Sequence, residues 1–375
     1  MAMTPRESFL RCMRFQPVPR VPNFELGYWG QTVERWIGEG MPPEEADRGG
    51  FYGHSFFGID DRPFLPVKLG PLPPLGPEIL EDTDRYLLCR DEDGALRRAL
   101  KEGTVRGTRP SMDQFISFAV QEPQDFEQLK PHFDPHTPGR YPPDFHALVA
   151  QWRHRDSPLC AVPNGAFGLY SHLRRYLGTE GLSYAWYDHP HLVHDMLEFF
   201  TDFLIETLRP GLAAIPCDYF NLFEDFAFKT GPLLSPRIFR EFLTPRYRRI
   251  IEFVRAHAID IIWFDSDGNF EPLIPLLIEV GVTCIWPLEV AAGNDPRETR
   301  RRFGRALAFS GGIDKRALAR DKAAIRAELE AKIPPLLADG GYLPTLDHAV
   351  PPDISYDNWC YYLELKSKML GSSPT

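Results

Sequence analysis

Two carboxylates, Asp265 and Asp267, follow the apolar run Ile259-Asp260-Ile261-Ile262-Trp263-Phe264. The run is β-branched and aromatic with one polar member, and it reads as a buried strand. On an extended backbone residues two apart share a side, so both carboxylates are directed the same way. Gly268-Asn269 then turns the chain, and Glu271-Pro272-Leu273-Ile274 opens a helix. Acids at the carboxyl end of a buried parallel strand stand where α/β proteins build their active sites. One such Asp is routinely a helix cap; two on one side exceed what a cap requires.

The polar ending recurs along the chain. Residues 218–223 read as a strand ending in Glu224, 282–287 lead to Glu289, 306–310 run on to Asp314, and 341–346 lead to Asp347-His348. If these strands are staves of one barrel, Asp265, Asp267, Glu289 and His348 converge on one axial cavity. Three carboxylates and an imidazole there make a reasonable zinc set, because three protein ligands with one open position define a catalytic zinc site. Each residue also has an ordinary alternative. Glu224 could pair with Lys229, Asp314 could cap the helix opening at Lys315, and His348 could be a hydrogen-bonded loop histidine.

The elements that must position these groups alternate strand and helix from about Tyr141 onward, which predicts a parallel sheet with helical crossovers. A further strand is expected near Val21, and Glu25, Tyr28 and Trp29 follow it toward the mouth. Polar endings on nearly every late strand favour a (β/α)8 barrel over an open sheet, which gathers its chemistry at one switch point. Seven strands are recognisable, so an eighth is unidentified. Residues 41–131 are poor in long helices, rich in proline and carry the hairpin signal Asp93-Gly94. They are expected to form an insertion or subdomain covering the mouth of a single barrel domain spanning 1–375.

The net charge of −10 argues against nucleic-acid or anionic-membrane binding, either of which needs a basic patch. No run reaches a membrane-spanning length. The six cysteines form no CxxC and read as free thiols of a cytoplasmic protein. No GxGxxG or Walker loop points to a nucleotide. A homodimer is the base-rate expectation.

Asp265-Ser266-Asp267-Gly268-Asn269, Trp286-Pro287-Leu288-Glu289 and Gly311-Gly312-Ile313-Asp314 together resemble the uroporphyrinogen decarboxylase superfamily. So do Gly340-Gly341-Tyr342 with the closing Asp347-His348-Ala349-Val350-Pro351-Pro352-Asp353, and the opening from Arg6-Glu7 to Arg20-Val21-Pro22. The resemblance implies a (β/α)8 barrel. The superfamily contains decarboxylases and zinc methyltransferases that work with corrinoid proteins. Decarboxylases resemble one another in an arginine-bearing Met-Arg-Gln-Ala-Gly-Arg segment after the first strand. Here that region reads Phe24-Glu25-Leu26-Gly27-Tyr28-Trp29, acidic and aromatic, the wrong partner for a substrate with many carboxylates. The methyltransferases hold zinc by a His-x-Cys pair, a Glu and a late Cys. Asp265 and Asp267 fall at the His-x-Cys positions and Glu289 matches the Glu. The late Cys is replaced near Leu346, with His348 two residues on.

Oxygen and nitrogen ligands suit a Lewis-acid role at a leaving oxygen better than activation of a thiol. The resulting expectation is a corrinoid-dependent methyltransferase. It takes a methyl group from a small methylated, plausibly methoxylated aromatic, substrate and gives it to a corrinoid (cobalamin) protein partner. Zinc at Asp267, Glu289 and His348 polarises the ether oxygen, Asp265 completes the catalytic set, and Glu25, Tyr28, Trp29, Phe223, Glu224 and Trp286 contact substrate. The alternatives are a metal-free decarboxylase-like lyase and a non-catalytic corrinoid- or ligand-binding protein.

Overall fold

The computed structural model describes residues 3–47, 53–109 and 111–371. Its centre is a parallel sheet in which Phe220–Phe223, Ile262–Asp265, Cys284–Trp286, Ala308–Ser310 and Tyr342–Leu343 lie side by side in that order. The sheet continues beyond both margins by single bridges. Tyr219 pairs with Cys160, Cys160 with Phe64, Ile313 with Leu346, and Val350 with Tyr28. The Asp60 amide donates to the Asn23 carbonyl at 2.9 Å, which joins the remaining two segments and closes the ring. The fold is therefore a (β/α)8 barrel. Its staves, in chain order, run near residues 21–28, 60–65, 159–162, 219–223, 262–265, 284–286, 308–310 and 342–346.

The second stave lies inside the stretch expected to be wholly an insertion. Asp60-Asp61-Arg62-Pro63-Phe64-Leu65-Pro66 offers no apolar run, and its two prolines remove ladder donors. It still pairs where it can: Cys160 N–H donates to Pro63 O and Leu65 N–H to Cys160 O, both at 2.9 Å. After it comes an antiparallel meander of Glu78–Asp82, Tyr86–Arg90, Leu96–Leu100 and Gln114–Ser117, with the Asp91–Gly94 turn between its second and third strands.

Side chains alternate as the pleat requires. Trp263, Cys284, Trp286, Ala308 and Leu343 fill the barrel interior, while Ile262, Phe264, Ile285 and Phe309 pack outward under the helices. The bottom is plugged by the helix Pro5–Met13, whose Thr4–Glu7 capping box fixes its start. Phe9 on that helix sits with its ring centroid 5.0 Å from Tyr219 and 5.9 Å from Trp263. By the same alternation Asp265 shares the inward face with Trp263, at the opposite, open end.

Candidate active site

Asp265 ends the fifth stave beside Trp286 of the sixth, to which it is registered. It is 6% exposed, and no group among the described residues hydrogen-bonds its carboxyl. Burial, and then the charges of Asp267 and Asp225, push this carboxyl well above the ordinary carboxylate range, and the charge of Arg62 opposes them. The site thus disfavours the anion of this carboxyl relative to its neutral form. Arg62 itself stands below, stacked on Trp286 at 5.4 Å and Trp263 at 5.9 Å, and donates to Glu25 O at 2.8 Å. Around Arg62, Asn164 and Asn221 the interior leaves about 10 Å³, room for one water at most. A substrate must therefore meet Asp265 from the mouth.

Asp267 lies half-exposed at the rim, with Oδ2 3.4 Å from His348 Nε2. That hydrogen bond, opposed by burial and by Lys315, raises the His348 imidazole above its ordinary value. Glu289 belongs to a different group. One of its oxygens accepts from Lys315 Nζ at 2.9 Å and the other from Gly268 N at 3.2 Å. Gly268 can present that amide because it is at φ +75° and lies against Ala227 O, where a Cβ would clash at 2.5 Å. Asp347, wholly buried, accepts from Val290 N at 2.9 Å and Lys315 N at 3.1 Å, and it stands 3.7 Å from the Lys315 ammonium.

The expected zinc set of Asp267, Glu289 and His348 is thus not assembled. Among the described residues no group of three or more His, Cys, Asp or Glu is placed to hold a metal ion. Both Glu289 oxygens are already satisfied, and Lys315 supplies the positive charge that an ion would bring. The residues present do not fit zinc.

Three expected substrate contacts are also corrected. Glu25 is wholly buried and accepts from Lys366 Nζ, from Tyr362 Oη at 2.7 Å and from Leu346 N at 3.0 Å. It ties the first stave to the eighth and to the closing helix. Tyr28 turns outward into an aromatic cluster with Trp36, Phe57 and Trp359, and its hydroxyl lies 3.3 Å from His54 Nδ1. Glu224 caps the helix Leu169–Asp188 from a neighbouring stave, accepting from Leu169 N at 2.7 Å, from Ser171 N at 3.1 Å and from the Tyr247 hydroxyl. Gly168 makes that approach possible, since a Cβ there would lie 1.8 Å from Phe223 O. Trp29 and Phe223 are half-buried at the rim, and Trp286 faces inward with Nε1 donating to Asn221 Oδ1 at 3.2 Å.

Burial pushes the Glu224 carboxyl up to about 7, against the hydrogen bonds from Tyr247 and the backbone. The folded state then keeps a proton that the unfolded chain has released, so stability falls as pH rises from about 4.5 to about 7. Urea unfolding at pH 5 and pH 7 is expected to show a smaller loss of stability with pH in Glu224→Gln than in the unaltered chain. An equal loss in both would exclude Glu224 as a source of the pH dependence.

Two members of the site carried no distinct signal. Asp225, rather than Glu224, faces Asp265; its φ of +51° turns the chain past the stave end, where Arg174 pairs with it at 3.0 Å. Lys315 sits at the start of the helix Lys315–Arg320 and reads in sequence as a solvated helix residue. Asp347 could have been suspected from its place beside His348.

A barrel whose mouth is built from acids on successive stave ends defines an enzyme-like α/β protein, and comparisons with known proteins specify its family. The family model Uroporphyrinogen decarboxylase (URO-D) matches residues 105–367, and the chain belongs to that family. A uroporphyrinogen decarboxylase of Legionella pneumophila (strain Lens) is 24% identical over 371 residues, covering 95% of both chains. Another, from Pseudomonas paraeruginosa, is 25% identical over 179 residues, 45% of this chain and 46% of its own. Among solved structures a methyltransferase from Methanosarcina mazei superposes with a TM-score of 0.62 at 16% identity, over 98% of this chain and 99% of that one. This likeness shows the shared barrel. No helix among the described residues is long and apolar enough to cross a membrane.

Proposed function

We propose that this protein transfers a methyl group from a small O-methylated substrate, plausibly a methoxylated aromatic, to a corrinoid protein, and that Asp265 is the proton donor to the departing oxygen. The observation that carries the reading is the buried Asp265 carboxyl at the barrel mouth, beside the charges of Asp267 and Asp225. General-acid catalysis needs a carboxyl whose neutral form is favoured over that of a free carboxylate, the direction in which burial and the neighbouring acids shift Asp265. In the reaction the bond between methyl carbon and oxygen breaks, its electron pair stays on oxygen, and Asp265 delivers its proton there. The partner's corrinoid supplies the nucleophile that takes the methyl carbon. Asp265 is left as an anion beside Asp267 and Asp225, an arrangement that favours its reprotonation. Asp267 with His348, at the solvent side, is the route for that proton. Trp29, Phe223 and Trp286 are the apolar walls of the pocket. Lys315 holds Glu289 and Asp347 so that the loops after the sixth, seventh and eighth staves keep their spacing.

The acidic rim disfavours a polycarboxylate substrate. A metal-free lyase is the second reading, supported by the decarboxylase names of the relatives in sequence; there Asp265 would protonate the carbon that loses carbon dioxide. The test incubates the purified chain with chemically reduced cobalamin and a panel of methoxylated donors, and separately with uroporphyrinogen. Methylation of the cobalamin, seen in its visible spectrum, is expected with at least one donor. Carbon dioxide release without methylation would replace this reading by the lyase. Neither product would leave a binding protein.

A further inference from the structure

We infer that Asn164 determines substrate specificity at the mouth: its side-chain amide donates to a second acceptor oxygen, carried on the far side of the ring from the methoxy group. The substrate class is taken from the methyl-transfer reading above. A relay of three side chains across the top of the barrel interior carries the inference. Trp286 Nε1 donates to Asn221 Oδ1 at 3.2 Å, and Asn221 Nδ2 donates to Asn164 Oδ1 at 3.1 Å.

The relay has one polarity. An indole N–H donates and cannot accept, so Asn221 must turn its oxygen to Trp286. The NH2 of Asn221 is then aimed at Asn164, which answers with its own oxygen. Trp286 and Asn221 are both buried, so neither can trade its contact for bulk water. What Asn164 has left is its NH2, which has no partner among the described residues. A lone asparagine offers a donor or an acceptor by rotating its amide. Here the indole at the head of the relay fixes it as a donor.

That donor faces the mouth. Asn164 stands two residues past the third stave, lining the small interior space with Trp286 and Asn221 and exposed on its other side. Asp265 ends the fifth stave. The fourth lies between them, with Asn221 registered to Trp263 and Phe223 to Asp265. The backbones of the third and fifth staves are two ladder spacings apart, ~10 Å, and inward side chains converge from there. Oxygens on adjacent ring carbons are too close together to meet both donors; oxygens on opposite sides of a ring fit. Asn221 is the positioning residue, because it passes the polarity of Trp286 to Asn164.

Calorimetric titration of the full chain without cobalamin, where no methyl transfer occurs, tests this with two probes. One is para-methoxyacetophenone, whose carbonyl accepts; the other is para-isopropylanisole, of similar shape without that oxygen. The preference for the ketone, taken as the ratio of the two dissociation constants, is expected to fall ~5-fold in Asn164→Asp, the net worth of one neutral hydrogen bond. That variant still accepts from Asn221 but has lost the outward hydrogens. Asn221→Leu should lower the ratio as well, with Asn164 itself intact. Asn164 is exposed, so Asn164→Asp is expected to fold even if Asn221→Leu does not. An unchanged ratio in Asn164→Asp, or a chain that binds neither probe, overturns the inference. If the ratio is unchanged while cobalamin is methylated, the inference falls and the methyl-transfer reading stands. A lowered ratio with no donor methylating cobalamin supports the inference and removes that reading.

Discussion

Asp265→Asn is expected to lower kcat for methyl transfer by ~10²–10⁴-fold, the usual worth of a positioned proton donor. Asparagine keeps the shape and removes the transferable proton, so substrate binding should change little. The loss should depend on the leaving group. A donor whose departing oxygen is already a stable anion, such as a nitrophenyl methyl ether, needs no proton and should lose far less. The pH profile supplies an independent readout. Because burial and the neighbouring Asp267 and Asp225 hold this carboxyl above its ordinary value, activity should persist above the ordinary carboxylate range. It should then fall as pH rises through that value, and Asp265→Asn should lack this limb. Retention of kcat within about threefold, for donors with poor and good leaving groups alike, would remove Asp265 from the mechanism.

Lys366→Met is expected to cost ~3–5 kcal/mol of stability, the penalty for leaving a buried carboxylate without its partner. Glu25 and Lys366 are both wholly buried and in direct contact, with Phe24 O accepting from Lys366 Nζ at 2.9 Å. Burial lowers the Lys366 ammonium from its ordinary value and Glu25 opposes that shift, so the two charges depend on each other. The double variant Glu25→Gln/Lys366→Met should recover part of the loss, because neither charge is then stranded. Denaturant midpoints for the two single variants and the double variant test this. If the single and double variants lose stability additively, the pair is not a coupled unit.

These two residues show where sequence reading reaches and where it stops. Asp265 was legible because its position is local information. A nearly continuous apolar run marks a buried strand, and its carboxyl end marks where the first acids beyond it stand, two apart and so on one side. The Asp93-Gly94 turn and the parallel staves were legible for the same reason: each is decided within a few residues. Glu25 was misread as a mouth residue because a carboxylate on a strand looks the same whether it meets water or a lysine 341 positions away.

The division of labour at the mouth follows. The sequence alone determined that acids and an imidazole end successive strands, and so that the barrel has a polar mouth. Tertiary structure decided what those acids do. It gave Glu224 to a helix terminus, Glu289 and Asp347 to Lys315, and Asp267 to His348, and it left Asp265 with no hydrogen-bonding partner among the described residues. Tertiary packing also decided that residues 60–65 are a stave. Two prolines erase the local pattern there, and only the closing of the ring gives the segment neighbours to pair with. Burial is written in local periodicity, whereas the partner of a charge is fixed by which distant segments the closed barrel brings within hydrogen-bond reach.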